Sequence, residues 1–476
     1  MSKLYAKPLA PVGFSEEDFE EFERKLRLET SAFISKLKKE SLNHGFFSTQ
    51  IEVGTFFVDQ KKNPLMLTAK MLQEINETTS VMQQGSFSFP LKTTKNKLDS
   101  MLLSNLRSEL ENRFFAYQKV AESYGAHMLM VGSLPFVPTE KLNDENGASS
   151  SFLALLNQGL KSKRRGHPIE LNIHGVEHLK LQQDNLQLLS GTGDMHITFE
   201  FSQADLLKFY NASQMILGPV MAIASNSPFF LGKNLWSESR IALQEQCYAI
   251  PTAQGRAFFG SSYLKESFIH YFLENEQAYQ PLVPVCYNED MYRFKHLSLH
   301  NETIFRWNRM IINQEDKGDS QFLKMQMRAL PAGPTFVDMT ANFALLLGLM
   351  SEISSWETDP EKYLFYGEAS ENFYQAARHG LDSSFIWNQG KKLSVTELFF
   401  SYLLPMAKKG LSRLGIEAEE SKYYLEDVIA GRVLMKQNGA SWQKSFIEKH
   451  GKQFDKMLEV YLSFQQQNIP VHKWNF

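Results

Sequence analysis

Residues 194–201, DMHITFEF, alternate without a fault: Asp194, His196, Thr198 and Glu200 fall on one side, Met195, Ile197, Phe199 and Phe201 on the other. A period of two belongs to a β-strand with one polar and one apolar face. Two further stretches repeat it. In HPIELNIHG (167–175) Glu170, Asn172 and His174 share a side, and in LKMQMR (323–328) Lys324, Gln326 and Arg328 do. A fourth, TQIEVGTFFVD (49–59), alternates Ile51, Val53, Thr55 and Phe57 with Glu52, Gly54, Phe56 and Val58. Glu52 therefore shares a side with apolar neighbours, and a buried acid is costly unless it meets a cation or a metal.

Long helical periods separate these strands. Ser15 followed by Glu16, Glu17 and Asp18 reads as a capped helix start, running to about Leu42 before Asn43, His44 and Gly45 stop it. KKNP (61–64) turns the chain, and 66–77 and 93–125 are helical. MLMVGSLPFVP (128–138) is a buried strand, and 140–151 is a surface loop. QADLLKFYNASQMILGPVMAIAS (203–225) is a helix interrupted or kinked near Gly218-Pro219. HLSLHNETIFRW (296–307) and FLKMQMRAL (322–330) are strands, and from Pro334 onward the pattern is mostly helical. The class expected is α+β: an antiparallel or mixed sheet covered on one side by helices, not a βαβ array. Residues 1–44 form an N-terminal helix ahead of one large domain over 45–476.

Composition narrows the function classes. The chain has 476 residues, 43% hydrophobic and 22% charged, with a net charge of -3. That balance gives no electrostatic case for nucleic acid or an anionic membrane. The 37 phenylalanines read as core filling. Cys247 and Cys286 form no CxxC pair and read as reduced thiols in a cytoplasmic protein. The N-terminus lacks the apolar core of a signal peptide. Apolar stretches such as MILGPVMAIA (215–224) fall short of the roughly 18–20 residues that span a bilayer.

No GxxxxGK[ST], GxGxxG, HExxH or GxSxG motif occurs. The polar strand rows remain, and the residues alone leave two readings open: a solvated sheet face, or a bed for a charged substrate held by basic groups and metal-bridging acids. SNSPFFLGKNLWSESR (225–240) gathers Lys233, Glu238 and Arg240 beside Trp236, which reads either as an exposed loop with an aromatic anchor or as Arg240 forking onto a carboxylate or phosphate. HNETIFRWNR (300–309) places Arg306, Asn308 and Arg309 around Trp307, which suits an anion with a planar neighbour or a surface cation–π stack.

Taken with LPAGPTFVDMTAN and NFYQAARHGLD, the stretches RRGHPIELNIHG, YNASQMILGPVMAIASNSPFFLGKNLWSESR and HLSLHNETIFRWNR resemble the bacterial and plant-type glutamate–cysteine ligase family, from roughly Gly45 to beyond residue 440. That family belongs to the ATP-dependent carboxylate–amine ligases. The resemblance implies a glutamine-synthetase-like fold, with ATP and glutamate bridged by magnesium or manganese on a curved antiparallel sheet backed by helices. Glutamate is phosphorylated, and an amine such as cysteine attacks the acyl phosphate. By position, Glu52 and Gln326 match metal-site residues, and Arg240, Arg306 and Arg328 match anion-gripping catalytic residues. His196, Asp194, Asn226, Lys233, Asn308 and Arg309 match the substrate- and nucleotide-binding set. The implied partners are small molecules, with no nucleic acid or membrane, and a homodimer is allowed.

The pattern also departs from the family. Relatives read G-x-E-x-E on the first strand, where this chain has Gln50-Ile51-Glu52-Val53-Gly54. SVMQQGSFSFPLK (80–92) has no acid, and a late Glu-His-Arg is Gln326-Met327-Arg328. Gln is a poorer ligand than a carboxylate for a hard cation, and Asp194 is the one candidate to compensate. Two functions follow: an active ligase, or an impaired relative that keeps the pocket to bind a nucleotide or amino acid for regulation or partnering. A second carboxylate within about 6 Å of Glu52 is what a two-acid metal site requires.

Overall fold

The computed structural model describes residues 14–39, 47–75, 87–142, 151–251, 253, 255–312 and 323–475. The 44/45 division, the expected end of the first helix, most of the 140–151 loop and the first part of 80–92 lie outside them. The strands are β1 (Ser48–Val58), β2 (Ser88–Lys92), β3 (His127–Leu129), β4 (Asp194–Glu200), β5 (Asn308–Ile312) and β6 (Leu323–Pro331). They assemble in the order β5-β6-β4-β1-β2, every pair antiparallel, with β3 added to β1. DMHITFEF supplies β4, the middle strand.

Register carries the alternation across the sheet. Ile51 pairs with Ile197 and Glu52 with His196, while Met327 pairs with Ile197 and Gln326 with Thr198. Partners in register share a face, so polar rows meet polar rows and apolar rows meet apolar. Of the long helices, α1 (Glu16–Lys39) and α2 (Leu102–Ser123) come first in the chain, and α3 (Gln203–Ala224) and α5 (Phe336–Ser354) cover the apolar side, where Phe199 stacks on Phe343 with centroids 6.0 Å apart. Each is capped as its sequence dictates: Ser202 Oγ accepts from Asp205 N at 3.2 Å and Thr335 Oγ1 from Asp338 N at 3.1 Å.

Helix α5 passes the length and composition test for crossing a bilayer that shorter apolar stretches fail, yet its apolar window is wholly enclosed by protein. It is a core helix. The helix Leu404–Arg413 crosses it so closely that a Cβ on Gly348 would lie 2.4 Å from the Ala407 carbonyl oxygen. Backbone cannot yield there as a side chain would. Gly348→Val is therefore expected to cost roughly 3 kcal/mol in urea unfolding, and a cost below about 1 kcal/mol would show that the crossing can open.

Local structure departs from expectation at several points. Helix α3 runs unbroken through Pro219. Gly218 admits the helix Tyr366–His379, because a Cβ there would come within 2.8 Å of Asn372 C and Phe373 N. Residues 295–302 are a helix, not a strand. Its His296, Ser298 and His300 are buried along with Leu297 and Leu299, and a segment buried all round carries no usable period. Glu29 of the helix Glu16–Lys39 holds it, its carboxylate 2.5 Å from His296 Nδ1 and accepting Leu297 N at 2.9 Å. Within 128–138 only the start is strand, and the helix expected from 93 begins at Leu102. Gly451, with φ at 74°, splits the last long helical period into Gly439–His450 and Phe454–Gln466.

Candidate ligand site on the polar face of the sheet

Where β6 passes His196 its register slips, so that Arg328 and Ala329 stand opposite one residue of β4. Such a bulge leaves backbone groups without ladder partners. Arg240, on helix α4 (Ser239–Cys247), caps them from beneath. Its Nη1 donates to Arg328 O at 3.3 Å, and its Nη2 donates to Ala329 O. The same guanidinium donates from Nη1 to Asp194 Oδ1 at 2.7 Å and from Nε to Glu238 Oε2 at 3.0 Å. Gln244, one turn along α4, donates to both Asp194 oxygens, at 3.1 and 2.9 Å. Asp194 is deeply buried, which alone would raise its pKa, but Arg240 and His196 overcome burial and hold it well below the usual carboxylate range. Arg240 is fully enclosed, so it grips the bulge and two acids, not a substrate.

On the open side of this layer lies His196, its pKa pulled down by burial against the opposing pull of Asp194, so the ring is neutral at pH 7. Asp194 Oδ2 lies 3.5 Å from its Nε2 and Glu52 Oε1 lies 3.9 Å from its Nδ1. The two carboxylates therefore approach opposite edges of one imidazole. Glu52 Oε2 is also 3.5 Å from Lys92 Nζ, its cross-strand partner on β2. Farther along β4, Glu200 Oε1 takes both Lys95 Nζ at 3.0 Å and Lys324 Nζ at 2.9 Å. Those cations outweigh burial and lower the Glu200 pKa.

This donor set does not fit a divalent metal. Gln326 Oε1 already accepts Arg309 Nε at 3.0 Å, and Asp194 is committed to Arg240 and Gln244. Among the described residues no group of three or more His, Cys, Asp or Glu side chains is placed to hold an ion. A second acid at Gly54 would be tight: a Cβ there would stand 3.2 Å from Asp194 N and 3.3 Å from Gly193 Cα, so the neighbouring strand would have to give by a few tenths of an ångström. Asp194 thus does not replace the missing carboxylate as a ligand, because Arg240 and Gln244 hold its two oxygens.

The same face carries two cations without an acid. Arg309 of β5 and Arg328 of β6 are nearly buried, and among the described residues neither is in ion-pair contact with a carboxylate. Arg328 Nε lies 3.4 Å from His196 Nε2, and its guanidinium lies over the Phe305 ring at 5.4 Å. Phe305 in turn stacks on Tyr248 at 3.9 Å. Burial and the charge of Arg328 push the Arg309 pKa down to about 10. Two adjacent buried cations repel one another, and an oxyanion is the partner that would quiet them.

The other expected site residues lie elsewhere. Arg306 is sandwiched between the Tyr271 ring at 4.4 Å and the Phe258 ring at 5.0 Å, and pairs with Glu274 at 3.1 Å. Asn308 stands in register with Met327 and donates to Ser213 Oγ of α3, on the apolar side. Asn226 is wholly buried between Ala332 O and Tyr461 Oη, at 2.7 and 2.9 Å. Lys233 sits on the Phe229–Phe230/Lys233–Asn234 hairpin against Glu177. Glu170, Asn172 and His174 lie on a separate exposed hairpin, where His174 stacks on His178 at 4.0 Å. Lys92, Lys95 and Gln244 stand outside the set that the sequence predicts. Lys92 is brought to the site by the register of Ser88, Pro90 and Lys92 opposite Phe56, Gly54 and Glu52, which no local pattern signals.

Beside the site, Glu245 of α4 accepts Trp307 Nε1 and Tyr374 Oη, each at 2.9 Å. Burial raises its pKa to about 7 against those two hydrogen bonds. A carboxyl whose folded pKa is raised contributes stability that is full below its unfolded pKa and is lost as pH rises through the folded one. Stability should therefore fall between about pH 4.5 and 7 on this account. Glu245→Gln should flatten that slope in urea unfolding at several pH values, and an unchanged slope would remove Glu245 as its source.

In sequence, no family model and no curated protein matches the chain. In structure, the chain is similar to the glutamate–cysteine ligase of Francisella tularensis in complex with AMP, with TM-score 0.59 and 12% identity, covering 92% of this chain and 91% of that one. It is also similar to a bifunctional glutathione synthetase from Pasteurella multocida, with TM-score 0.50 and 12% identity. That match covers 94% of this chain and 54% of the synthetase. These likenesses give the fold: an antiparallel sheet and helices arranged as in those two structures.

Proposed function

We propose that this chain is an ATP-dependent carboxylate–amine ligase relative, of the glutamate–cysteine ligase type with its glutamine-synthetase-like sheet, that binds a nucleotide or other phosphate-bearing small molecule on the polar face and has lost metal-assisted ligation. One observation carries this. Arg309 and Arg328 are buried together, and among the described residues neither is in ion-pair contact with a carboxylate, while Glu52, Asp194 and Glu200 all have cationic partners. Ligation through an acyl phosphate needs cations to screen two approaching anions and to hold the phosphoryl oxygens in line. Here the guanidinia can bind an oxyanion, while among the described residues the carboxylates of this face are already paired with cations.

Calorimetric titration with ATP and AMP tests binding, and ADP release with ATP, magnesium or manganese, glutamate and a panel of amines tests turnover. Binding without turnover is the expected pair of results. The full-length similarity to a glutamate–cysteine ligase favours the second reading, an active ligase. ADP release that requires glutamate and an amine, and that Glu52→Ala abolishes, would establish it. No binding by the folded protein would overturn both.

A further inference from the structure

The polar face is not merely short of acids; lysines stand against the acids it keeps. Lys92 is the direct cross-strand partner of Glu52, and its ammonium lies 3.5 Å from that carboxylate. Lys95 and Lys324 converge on a single oxygen of Glu200, at 3.0 and 2.9 Å, while the other oxygen accepts Ser48 Oγ at 2.9 Å. With Arg309 and Arg328, five cationic side chains stand around two carboxylates, above a layer in which Arg240 already pairs with Asp194 and Glu238. The face also deepens in order: the Lys92 side chain is 40% exposed, Glu52 25% and His196 17%, and Arg328 is nearly closed off. Positive charge thus runs from the open rim to the enclosed guanidinia.

Resting on the binding function above, we propose that the Lys92, Lys95 and Lys324 ammonium groups act as built-in cations in place of divalent ions, so that the site takes a polyphosphate-bearing ligand in its metal-free form. A phosphate chain needs positive charge along its length, and ammonium groups supply it as point charges without coordination geometry. A metal-chelated polyphosphate brings less negative charge to a surface already rich in cations, and its ion finds no uncommitted carboxylate to bind. Magnesium should therefore compete with the protein for the ligand.

The test titrates the full-length protein calorimetrically with ATP and with inorganic triphosphate, each in EDTA and in excess magnesium. The expected result is binding in EDTA, weakened about tenfold by magnesium, one charge-assisted contact being worth about that much. Triphosphate binding like ATP assigns the site to the phosphate chain, and ATP binding alone would overturn that assignment. Binding that appears only with magnesium would overturn the lysine substitution and leave the binding function standing. No binding in either buffer would overturn the binding function itself. The variant Lys92→Met/Lys324→Met, checked for folding by thermal unfolding, should weaken EDTA binding at least about tenfold, and unchanged affinity would overturn the role of the lysines.

Discussion

Arg240→Met is expected to cost about 3–5 kcal/mol of folding stability and to abolish ligand binding at the same time. The side chain is fully enclosed, and its guanidinium meets two carboxylates and two carbonyls. Methionine fills much of the volume but satisfies none of them. The carbonyls of Arg328 and Ala329 lose the donors that make the bulge tolerable, and the bulge is what aims Arg328 at His196. Glu238 is left without its cation in a site where burial already raises its pKa. It can take up a proton, which limits the loss. Asp194 keeps Gln244 but loses its strongest partner.

The pH dependence separates this account from simple loss of packing. A carboxyl held at a depressed pKa contributes stability present above its unfolded pKa and lost as pH falls through the folded one. Removing Arg240 removes that contribution, so the deficit of the variant should be largest near neutrality and shrink below about pH 4. Arg240→Lys should recover little, since one ammonium cannot fork onto four acceptors. Urea unfolding at several pH values measures all three. A deficit below about 1 kcal/mol, or one independent of pH, would sink the bulge-clamp account.

How much of this is legible in the residues depends on where the partner of each group comes from. The alternation of DMHITFEF fixes the faces of β4, because period two is a local property of the backbone. Glu52 announces a charge partner for the same reason. That the partner is Lys92 depends on strand pairing across 40 residues of chain, and no local pattern encodes it. Arginines are harder still. Arg240, Arg306, Arg309 and Arg328 all read as anion-gripping, yet Arg240 clamps a bulge and Arg306 sits between two rings. A guanidinium has five donors and a stackable plane, so one residue type serves bulge, aromatic sandwich and ligand alike. Only placement distinguishes them, and placement leaves Arg309 and Arg328 as the pair still lacking an anion.

For that pair the expected result has an unusual sign. Arg309→Met should raise the stability of the ligand-free protein by about 1–2 kcal/mol, because replacing an uncompensated buried charge with a well-packed apolar side chain removes desolvation and repulsion together. Burial and Arg328 already push the Arg309 pKa downward, which is the same penalty seen from the proton's side. The variant gives up the hydrogen bond from Arg309 Nε to Gln326 Oε1 and the weaker pull of Glu302. Affinity for ATP should fall about a hundredfold, roughly 2.7 kcal/mol, the loss expected when an oxyanion faces one guanidinium instead of two. Arg328→Met should behave alike for affinity but gain less stability, because it also surrenders the Phe305 face. Thermal unfolding with and without ATP reads both quantities in one experiment. A variant that loses stability while keeping its affinity would make Arg309 a structural arginine. A gain in stability with a loss of affinity is what a group kept for its ligand produces, since burial and Arg328 outweigh the pull of Glu302 on its charge.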